Sequence, residues 1–312
     1  MTTRSPGGRG SRVRYLAARC TQLVGDRDAR QAVRARSHLR ALRKINANLR
    51  VVGVADDGGS TFVLASDDVI TPILLARGDF QRADLHRAWA LAQRLAPRAG
   101  ATAFVDVGAN VGTTTLYAAR TGAFSRIVAV EPSPDNLEVI RLNVQANGLD
   151  PLVHVVASAC GAEVGQVELM LSSVSAGDHR VRRAGQIPST HQTLVEVPQR
   201  PLDDILAGAG VACDDVALVW VDTQGHEPSV LAGAGDTIRS GAPFLVEFWP
   251  EMYVEAGTLD EHLDRMTSSF RSYIDLRDTR EVEHAMGDLR ALAERLLADR
   301  HGQTDLLLLP QL

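Results

Sequence analysis

The sequence is poor in the residues that build disulfide networks, metal centres and membrane spans. Its 312 residues include only three cysteines, Cys20, Cys160 and Cys213, which lie far apart and form no C-x-x-C pair. The nine histidines show no H-x-H or H-x-x-x-H spacing, and no apolar run approaches the length of a membrane-spanning helix. No secretory signal is visible, because arginines interrupt the early apolar residues. These absences predict a reduced, cytoplasmic protein without a bound metal.

Lysine is also nearly absent, and the charge is unevenly distributed. Lys44 is the only lysine, and residues 1–50 carry thirteen basic and two acidic side chains, whereas the rest of the chain has a net charge of −16. Residues 1–11 are rich in Gly, Ser and Arg and are predicted to be disordered; apolar residues then recur at helical spacing over 13–24 and 35–49. We interpret residues 1–50 as a basic helical extension that caps the following domain. Contact with a membrane or a nucleic acid is the alternative.

Residues 104–131 have the pattern of a strand–helix–strand unit that binds a nucleotide-like cofactor. An apolar run ends at a turn that starts with Gly108 and ends with Gly112, and a second run ends at Glu131. Dinucleotide enzymes usually have G-x-G-x-x-G at this turn, whereas this chain lacks the middle glycine and has Asp106 at the strand end. A carboxylate there repels a pyrophosphate but suits an amine. The pattern therefore favours S-adenosyl-L-methionine (SAM) over NAD or FAD.

Each part of SAM has a candidate ligand. The main-chain N–H groups from Ala109 to Gly112 are expected to hold the methionine carboxylate at the helix start, and Asn110 to orient the turn or bond that carboxylate. Asp106 is expected to complement the α-ammonium group, and Glu131 to accept hydrogen bonds from the ribose. The predicted cofactor-binding residues, including two weaker candidates that follow the second and third strands, are Asp106, Gly108, Ala109, Asn110, Gly112, Glu131, Asn136 and Ser158.

Strands and helices alternate along the rest of the chain. After a hairpin around DDGG at 56–59 and a helix at 84–95, the pattern predicts strands at 103–107, 126–130, 152–157, 165–171, 194–197, 217–222, 243–248 and 305–309. It predicts helices at 113–121, 134–146, 201–207, 227–239 and 284–299. This alternation indicates an α/β fold with a mainly parallel sheet covered by helices on both faces. A polar segment at 172–192 interrupts the alternation.

Five segments resemble the FkbM-type SAM-dependent methyltransferases, and the resemblance covers about residue 51 to the end. They are GDFQRAD (78–84), FVDVGANVG (104–112), VAVEPSPDN (128–136), WVDTQGHEPSVLAGA (220–234) and LVEFWPE (245–251). The resemblance implies a class I SAM-dependent methyltransferase fold over 51–312, Rossmann-like and seven-stranded with one antiparallel strand, whose SAM-binding core spans about 100–250. It also implies O-methylation of natural products, sugars or glycolipids. The chain departs from the family pattern D-x-E-G-x-E at Gln224.

Three residues are candidates for the chemistry at the acceptor. A hydroxyl nucleophile benefits from a base, and reactants in an open α/β sheet meet at the C-terminal ends of the strands. Asp222 and His226 follow the predicted fourth strand, and Glu247 ends the fifth. His226 is the first choice of base because imidazole titrates near neutral pH. The alternative is a histidine that only secures the start of a helix.

Other polar and aromatic residues near these strands have two interpretations. Glu227 is expected to complement a helix dipole. Asp178 and His179 either cover the acceptor or belong to a solvated loop, and Trp249 and Tyr253 either wall an apolar acceptor or pack in the core.

Three functions compete. A methyltransferase acting on a small-molecule or glycan hydroxyl is favoured over an RNA- or protein-directed methyltransferase, and both over an NAD-dependent oxidoreductase. The acidic balance outside residues 1–50 argues against a nucleic-acid partner. No metal is expected, although Asp222 and Glu247 could supply oxygen ligands to Mg²⁺.

Overall fold

The computed structural model describes residues 31–33, 35, 51–55, 61–65, 69–172, 176–183, 185–299 and 302–311. The segments predicted to be disordered or helical within 1–50 lie almost entirely outside these residues, so the division of the chain at residue 50 stays a prediction. Within the described part of the chain, no helix is long and apolar enough to span a membrane.

Fourteen strands are present in the described residues. They are β1 (Val51–Ala55), β2 (Thr61–Ala65), β3 (Ala103–Val107), β4 (Arg126–Glu131), β5 (Val153–Ala157), β6 (Ala159–Cys160), β7 (Gly165–Ser172), β8 (Arg180–Val181), β9 (Gln192–Arg200), β10 (Val216–Val221), β11 (Phe244–Phe248), β12 (Phe270–Asp275), β13 (Glu283–Ala285) and β14 (Thr304–Pro310).

Besides the helical residues 31–33 and 35, ten α-helices between residues 70 and 298 connect and cover the strands. They are α1 (Ile70–Arg77), α2 (Arg82–Leu95), α3 (Thr113–Arg120), α4 (Pro134–Ala146), α5 (Leu202–Gly208), α6 (Glu227–Ala232), α7 (Gly235–Arg239), α8 (Pro250–Ala256), α9 (Leu259–Ser269) and α10 (Leu289–Ala298).

The central sheet has the order β13-β12-β14-β11-β10-β3-β4-β5. Strands β5, β4, β3, β10 and β11 pair in parallel, and β14 runs antiparallel to both of its neighbours. This confirms the predicted class I methyltransferase arrangement with one reversed strand inserted near the edge. The expectation of seven strands was one too few, because β13 folds back onto β12 as a short additional edge strand.

Strands at the centre of the sheet are buried on both faces, as their continuous apolar sequences require. Every residue of β3, β10 and β11 is buried. Neighbouring residues point to opposite faces of a strand, so Phe104 packs in one core layer and Val105 in the other. Two apolar layers of similar size therefore fix the position of the strand ends, where polar side chains emerge.

Three sequence expectations were inaccurate. The strands predicted at 165–171 and 194–197 form a separate sheet of order β6-β9-β7-β8 and do not join the central one. The predicted helix 227–239 is divided into α6 and α7; Gly233 lies at the break, and a Cβ there would lie 2.1 Å from the carbonyl oxygen of Gly161, where two backbones meet. Helices α1, α8 and α9 were not predicted. The hairpin across 56–59 is confirmed by the antiparallel pairing of β1 and β2.

Candidate cofactor and acceptor site

A cavity opens at the C-terminal ends of the central parallel strands. It encloses about 1180 Å³ of empty space, open solvent included, between the turns that follow β3, β4 and β10 and the smaller sheet above them. Of the eleven residues predicted from the sequence to form the site, all but Asp106 and Gly112 line this cavity. The structure thus brings the predicted cofactor and acceptor residues to one place, and the cavity is hereafter called the main cavity.

The turn after β3 is held against the turn after β10 at a position where only glycine fits. Gly108 has a φ of 86°, and a Cβ there would lie 1.9 Å from the carbonyl oxygen of Asp222. Gly112 has a φ of 87° and caps the start of α3, where a Cβ would lie 2.8 Å from Cγ1 of Ile140. Both glycines therefore serve the backbone path and the close packing of the turn.

Most of the amides expected to bind a carboxylate already have acceptors. The N–H groups of Gly108 and Ala109 donate to the carbonyl oxygen of Val130 at 2.9 and 3.0 Å. The N–H of Asn110 donates to Glu131 Oε2 at 2.8 Å, and that of Gly112 to the carbonyl oxygen of Ala109 at 2.8 Å. The expectation that the Ala109–Gly112 amides form the cradle therefore needs correction, because the turn uses three of them to hold its own shape.

The first turn of α3 offers further main-chain N–H groups, at residues that were not among the sequence-predicted candidates. Thr113 and Thr114 are the first two residues of the helix, and both line the main cavity. The first N–H groups of a helix have no carbonyl partner within it and carry its positive dipole end. The start of α3 can thus receive an anionic group at Thr113 and Thr114, which directly follow the expected residues.

Glu131 lies at the end of β4 and is held in place on three sides. Its Oε1 accepts a hydrogen bond from the Ser133 amide at 2.7 Å and one from the Asn136 side chain at 3.4 Å, and its Oε2 accepts from Asn110. Burial raises the pKa of Glu131 to about 7, although these hydrogen bonds oppose the rise. Each carboxylate oxygen can accept a further bond, so the side chain is oriented but retains capacity for hydroxyl donors.

Asp106 lies beneath the cavity, and its side chain serves the start of α3. It is 1% exposed, and its Oδ2 accepts a hydrogen bond from Thr115 Oγ1 at 2.5 Å. Burial raises the pKa of Asp106 to about 7, and the nearby Asp222 adds to the effect. Because Asp106 does not line the cavity, direct contact with a ligand's ammonium group is not supported; an electrostatic effect through the turn stays a prediction.

Three further cofactor candidates differ in their freedom to bind a ligand. The amide oxygen of Asn110 is buried and has no hydrogen-bond partner among the described residues, in a residue with a φ of 54°. Asn136 is 2% exposed and braces Glu131, so it is not a solvated helix residue. The Ser158 hydroxyl donates to the carbonyl oxygens of Ala159 and Pro198 at 2.7 and 3.2 Å. Asn110 therefore offers an acceptor to a ligand, whereas Ser158 mainly ties β5 to the smaller sheet.

On the acceptor side, Gln224 joins the two candidate carboxylates. Its Nε2 donates to Asp222 Oδ1 at 2.7 Å and to Glu247 Oε2 at 2.9 Å. Glu247 Oε1 also accepts from Gln303 Nε2 at 3.1 Å. The departure from the family pattern thus has a physical reason: an amide at this position donates to two carboxylates that a third carboxylate would repel.

His226 lines the main cavity from the start of α6. Its Nε2 lies 3.1 Å from Gln199 Oε1. The amide oxygen can only accept, so Nε2 carries the proton and Nδ1 keeps a lone pair. Burial, aided by the charge of Arg183, lowers the pKa of His226 to about 4. The imidazole is therefore neutral at physiological pH and does not titrate near neutrality, contrary to the reason for which it was first chosen.

Glu227 stabilises the loop after β10, which carries Asp222, Gln224 and His226. It is fully buried, and its Oε1 accepts from the amides of Thr223 and Gly225 at 2.8 and 3.1 Å. Tyr253 donates its hydroxyl to Glu227 Oε2 at 3.1 Å and to the Glu247 carbonyl oxygen at 2.8 Å. Tyr253 and Trp249 both pack in the core beneath the site. Their aromatic rings therefore support the loop and do not line the main cavity.

The polar segment at 172–192 contributes to the roof of the main cavity. Asp178, His179 and Arg180 line it, and Asp178 Oδ1 accepts from Arg180 Nη2 at 2.5 Å. His179 Nδ1 accepts from the Ser172 amide at 3.0 Å, and burial lowers the pKa of His179 to about 4. The interpretation of this segment as a solvated loop was therefore wrong for these residues.

Metal-binding groups are not clustered here. Among the described residues, no set of three or more His, Cys, Asp or Glu side chains could hold a metal ion. Cys160 and Cys213, the two cysteines of this part of the chain, are free thiols.

The fold and the glycine turn beside a carboxylate-ended second strand define a class I SAM-dependent methyltransferase. A sequence model of the methyltransferase FkbM domain matches residues 106–282, more than half of the chain. The chain therefore belongs to the FkbM methyltransferase family, and its cofactor is SAM. This membership excludes the NAD-dependent oxidoreductase. A comparison with curated protein sequences found no match.

Three solved structures with related folds have low sequence identity to this chain. The methyltransferase FkbM from Methylobacillus flagellatus KT is 15% identical, with 90% of this chain and 59% of that chain covered and a TM-score of 0.40. Cofactor-bound Rv0187 from MTB is 16% identical, with 95% and 96% covered and a TM-score of 0.40. Precorrin-6y C5,15-methyltransferase from Geobacter metallireducens GS-15 is 12% identical, with 74% and 87% covered and a TM-score of 0.36. The present chain thus spans less than two thirds of the Methylobacillus protein.

Proposed function

We propose that this protein transfers the methyl group of SAM to a hydroxyl group of a small molecule, a sugar or a glycolipid. One observation carries the proposal: the main cavity is lined on one side by Glu131 and the β3–α3 turn, and on another by His226 and two carboxylates. A cofactor held by the first group and an acceptor held by the second would meet within one enclosed space. The acidic balance outside residues 1–50 supports a small acceptor over RNA.

The residues of the turn fit the polar ends of SAM. The buried Asn110 oxygen lacks a partner among the residues that the structure describes and suits an ammonium donor. The first amides of α3, at Thr113 and Thr114, suit the carboxylate. Glu131 is oriented by three donors and suits the ribose hydroxyls. When bound, SAM supplies an electrophilic methyl group attached to a positively charged sulfur.

Acceptor residues would act mainly by positioning and by removing a proton. Displacement at a sulfonium needs an in-line nucleophile, so alignment supplies much of the rate. We propose that Nδ1 of His226 takes the hydroxyl proton, because Nε2 is committed to Gln199. Asp222 and Glu247, fixed by Gln224, would accept hydrogen bonds from the acceptor and orient it. A pKa of about 4 makes His226 a weaker base than free imidazole but keeps it unprotonated at physiological pH.

The role of His226 is tested by replacing it with glutamine. Turnover, measured as S-adenosylhomocysteine formed with hydroxylated acceptors, is expected to fall roughly 10²–10⁴-fold, while SAM affinity by calorimetry stays within about twofold. Exposed His154 on β5 offers a matched control, and His154→Gln should change neither quantity. At saturating SAM, the decline of the wild-type rate that comes from His226 should appear only below about pH 5, since the pKa of His226 is lowered to about 4. Unchanged turnover in His226→Gln would assign proton removal to another group.

We further propose that residues 1–50 form a basic helical extension, with contact with a membrane as the alternative. We also propose that the protein is reduced and cytoplasmic, acts without a metal, and methylates an acceptor that is not a nucleic acid.

A further inference from the structure

A second cavity lies beside the main cavity and shares two lining residues with it. It encloses about 940 Å³, open solvent included, between the smaller sheet, α6 and α9. Val181 and His226 line both cavities. His226 thus stands between the main cavity and a second space that the cofactor proposal leaves unused.

We propose that the second cavity binds a phosphate or carboxylate group of the methyl acceptor, through the guanidinium of Arg183. This inference rests on the proposed function and specifies its substrate class: a hydroxylated compound that carries an anionic group near the hydroxyl to be methylated.

The main support for this proposal is the low exposure of the Arg183 side chain and the lack of hydrogen-bond partners at its Nη1 and Nη2 among the described residues. Its side chain is 18% exposed, and neither Nη1 nor Nη2 has a hydrogen-bond partner among the described residues. The nearest carboxylate, Glu255 Oε2, lies 3.5 Å from Nη1, and the Glu255 side chain is 59% exposed. Burial lowers the pKa of Arg183 from its ordinary value, yet a guanidinium stays protonated in proteins. A buried cation with unfilled donors is costly unless a ligand supplies the acceptors.

Two arginines close to Arg183 in the sequence, Arg180 and Arg182, do have hydrogen-bond partners for their guanidinium groups. Arg182 Nε donates to Glu168 Oε2 at 2.8 Å, and its Nη1 donates to the Gln186 carbonyl oxygen at 3.2 Å. Arg180 Nη2 donates to Asp178 Oδ1 at 2.5 Å. Arg183 lies in the same segment and lines the second cavity, but its Nη1 and Nη2 have only the long contact to Glu255 among the described residues.

His262 provides a second, independent observation. It is 0% exposed, it lines the second cavity, and neither ring nitrogen has a hydrogen-bond partner in the described part of the chain. Burial lowers the pKa of His262 to about 3, so the ring is neutral and has one N–H donor. Ser229, Thr258 and Arg265 line the same space, together with Glu261, which forms an ion pair with Arg265. Among the described residues, the donors of Arg183 and His262 are thus the ones left for an anionic group.

The position of Arg183 links anion binding to the chemistry. A Cβ placed on Gly225 would lie 2.4 Å from Arg183 Nη2, so the guanidinium lies against the residue that precedes His226. The charge of Arg183 also contributes to the lowered pKa of His226. An anion bound to Arg183 would offset that charge and raise the basicity of His226. The acceptor's anionic group would thus both place the hydroxyl near the base and strengthen the base.

The test uses full-length protein saturated with S-adenosylhomocysteine and labelled in its histidine rings. Inorganic phosphate and glucuronate are titrated separately, with glucose as the neutral counterpart of glucuronate, and the His226 and His262 ring signals are followed by NMR. At least one anion is expected to give saturable shifts of both signals, and glucose none. Phosphate alone would identify a phosphoester acceptor, and glucuronate alone a carboxylate acceptor.

Two Arg183 variants and one control decide the assignment. Arg183→Gln should weaken anion binding at least about tenfold, and Arg183→Lys, which keeps the charge but loses the fork, by an intermediate factor. Arg280→Gln, at an exposed arginine paired with Asp278, should bind like the wild type. Unaltered anion affinity in both Arg183 variants, or no shift with either anion, would overturn the inference. Failure of S-adenosylhomocysteine to bind would instead contradict the proposed function, since that ligand tests only the first half of the site.

Discussion

Replacing Gln224 with glutamate tests how the two acceptor-side carboxylates are kept side by side. In the wild type, one amide nitrogen donates to Asp222 Oδ1 at 2.7 Å and to Glu247 Oε2 at 2.9 Å. Gln224 is 7% exposed and Glu247 is 5% exposed, so little solvent screens the group. The Gln224→Glu variant keeps the shape of the side chain, restores the acidic residue common in the family, and turns two donor contacts into two carboxylate–carboxylate contacts.

The expected loss of stability follows from these contacts. A hydrogen bond to a charged group contributes about 1.5–3 kcal/mol, and both bonds from the amide disappear. The variant relieves the new repulsion by binding a proton, because adjacent carboxylates cannot all remain ionised. Once protonated, the introduced carboxyl group donates one bond, whereas the wild-type amide donates two. We therefore expect a loss of about 2 kcal/mol in acid and about 4 kcal/mol or more at alkaline pH.

The pH dependence has a definite sign. Repulsion raises the pKa of the new carboxyl group in the folded state above its value in the unfolded chain, so the folded variant holds an additional proton between the two values. Its free energy of unfolding, relative to the wild type, should therefore fall as the pH rises above about 4.3 and level off above the folded pKa.

Urea unfolding from pH 5 to pH 9 measures this difference. Gln224→Met, which removes the amide without adding a charge, should be destabilised by an amount that does not vary with pH. Gln93→Glu, at an exposed position of α2, should change stability by less than about 0.5 kcal/mol. A Gln224→Glu variant as stable as the wild type at alkaline pH would show that the amide does not hold the carboxylates together.

Four further outcomes are expected. Gly108→Ala should cost more than about 3 kcal/mol in urea unfolding, because its Cβ would lie 1.9 Å from a backbone oxygen, whereas Gly100→Ala, with a similar φ of 84° and open space, should cost about 1 kcal/mol. Glu131→Gln should weaken SAM binding in calorimetry by about 1–3 kcal/mol; unchanged affinity would remove Glu131 from the ribose site. Burial raises the pKa of Asp106 to about 7, so the stability of the ligand-free wild type relative to Asp106→Asn should fall from about pH 5 to pH 7, and a stability difference that does not vary with pH would contradict this burial effect. Methyl transfer should survive EDTA; loss of activity with rescue by Mg²⁺ would make Asp222 a metal ligand.

The central sheet could be predicted from the sequence because its strands and connections are locally encoded. Continuous apolar runs such as 103–107 and 244–248 predict strands buried on both faces, and glycines mark the turns that follow them. The smaller sheet could not be assigned in this way. Its long strands β7 and β9 have half-exposed residues, and only their mutual pairing shows that they leave the central sheet.

The sequence of helix α9 contains a helical pattern of apolar residues, although this helix was not predicted. Its buried residues His262, Leu263 and Met266 recur at helical spacing, yet the intervening charged residues conceal the pattern. The proposed carboxylate-binding amides, at Thr113 and Thr114 instead of Ala109–Gly112, could not be chosen from the sequence for a different reason. Sequence shows which amides lie near a helix start, but only the folded turn shows which of them already have acceptors.

The sequence predicts where the acceptor-side residues lie, but it does not predict their pKa values. Strand ends place Asp222, His226 and Glu247 together, and the structure does bring them to one cavity. The pKa of His226, however, depends on burial by the smaller sheet and on Arg183, which lies 43 residues earlier in the chain. Acid–base properties are set by contacts between distant segments, so an acceptor that enters the second cavity would change the base as well as occupy the site. Under the proposed function, substrate identity and catalytic strength would be coupled through Arg183, and measuring the His226 pKa with and without a bound anion tests that coupling directly.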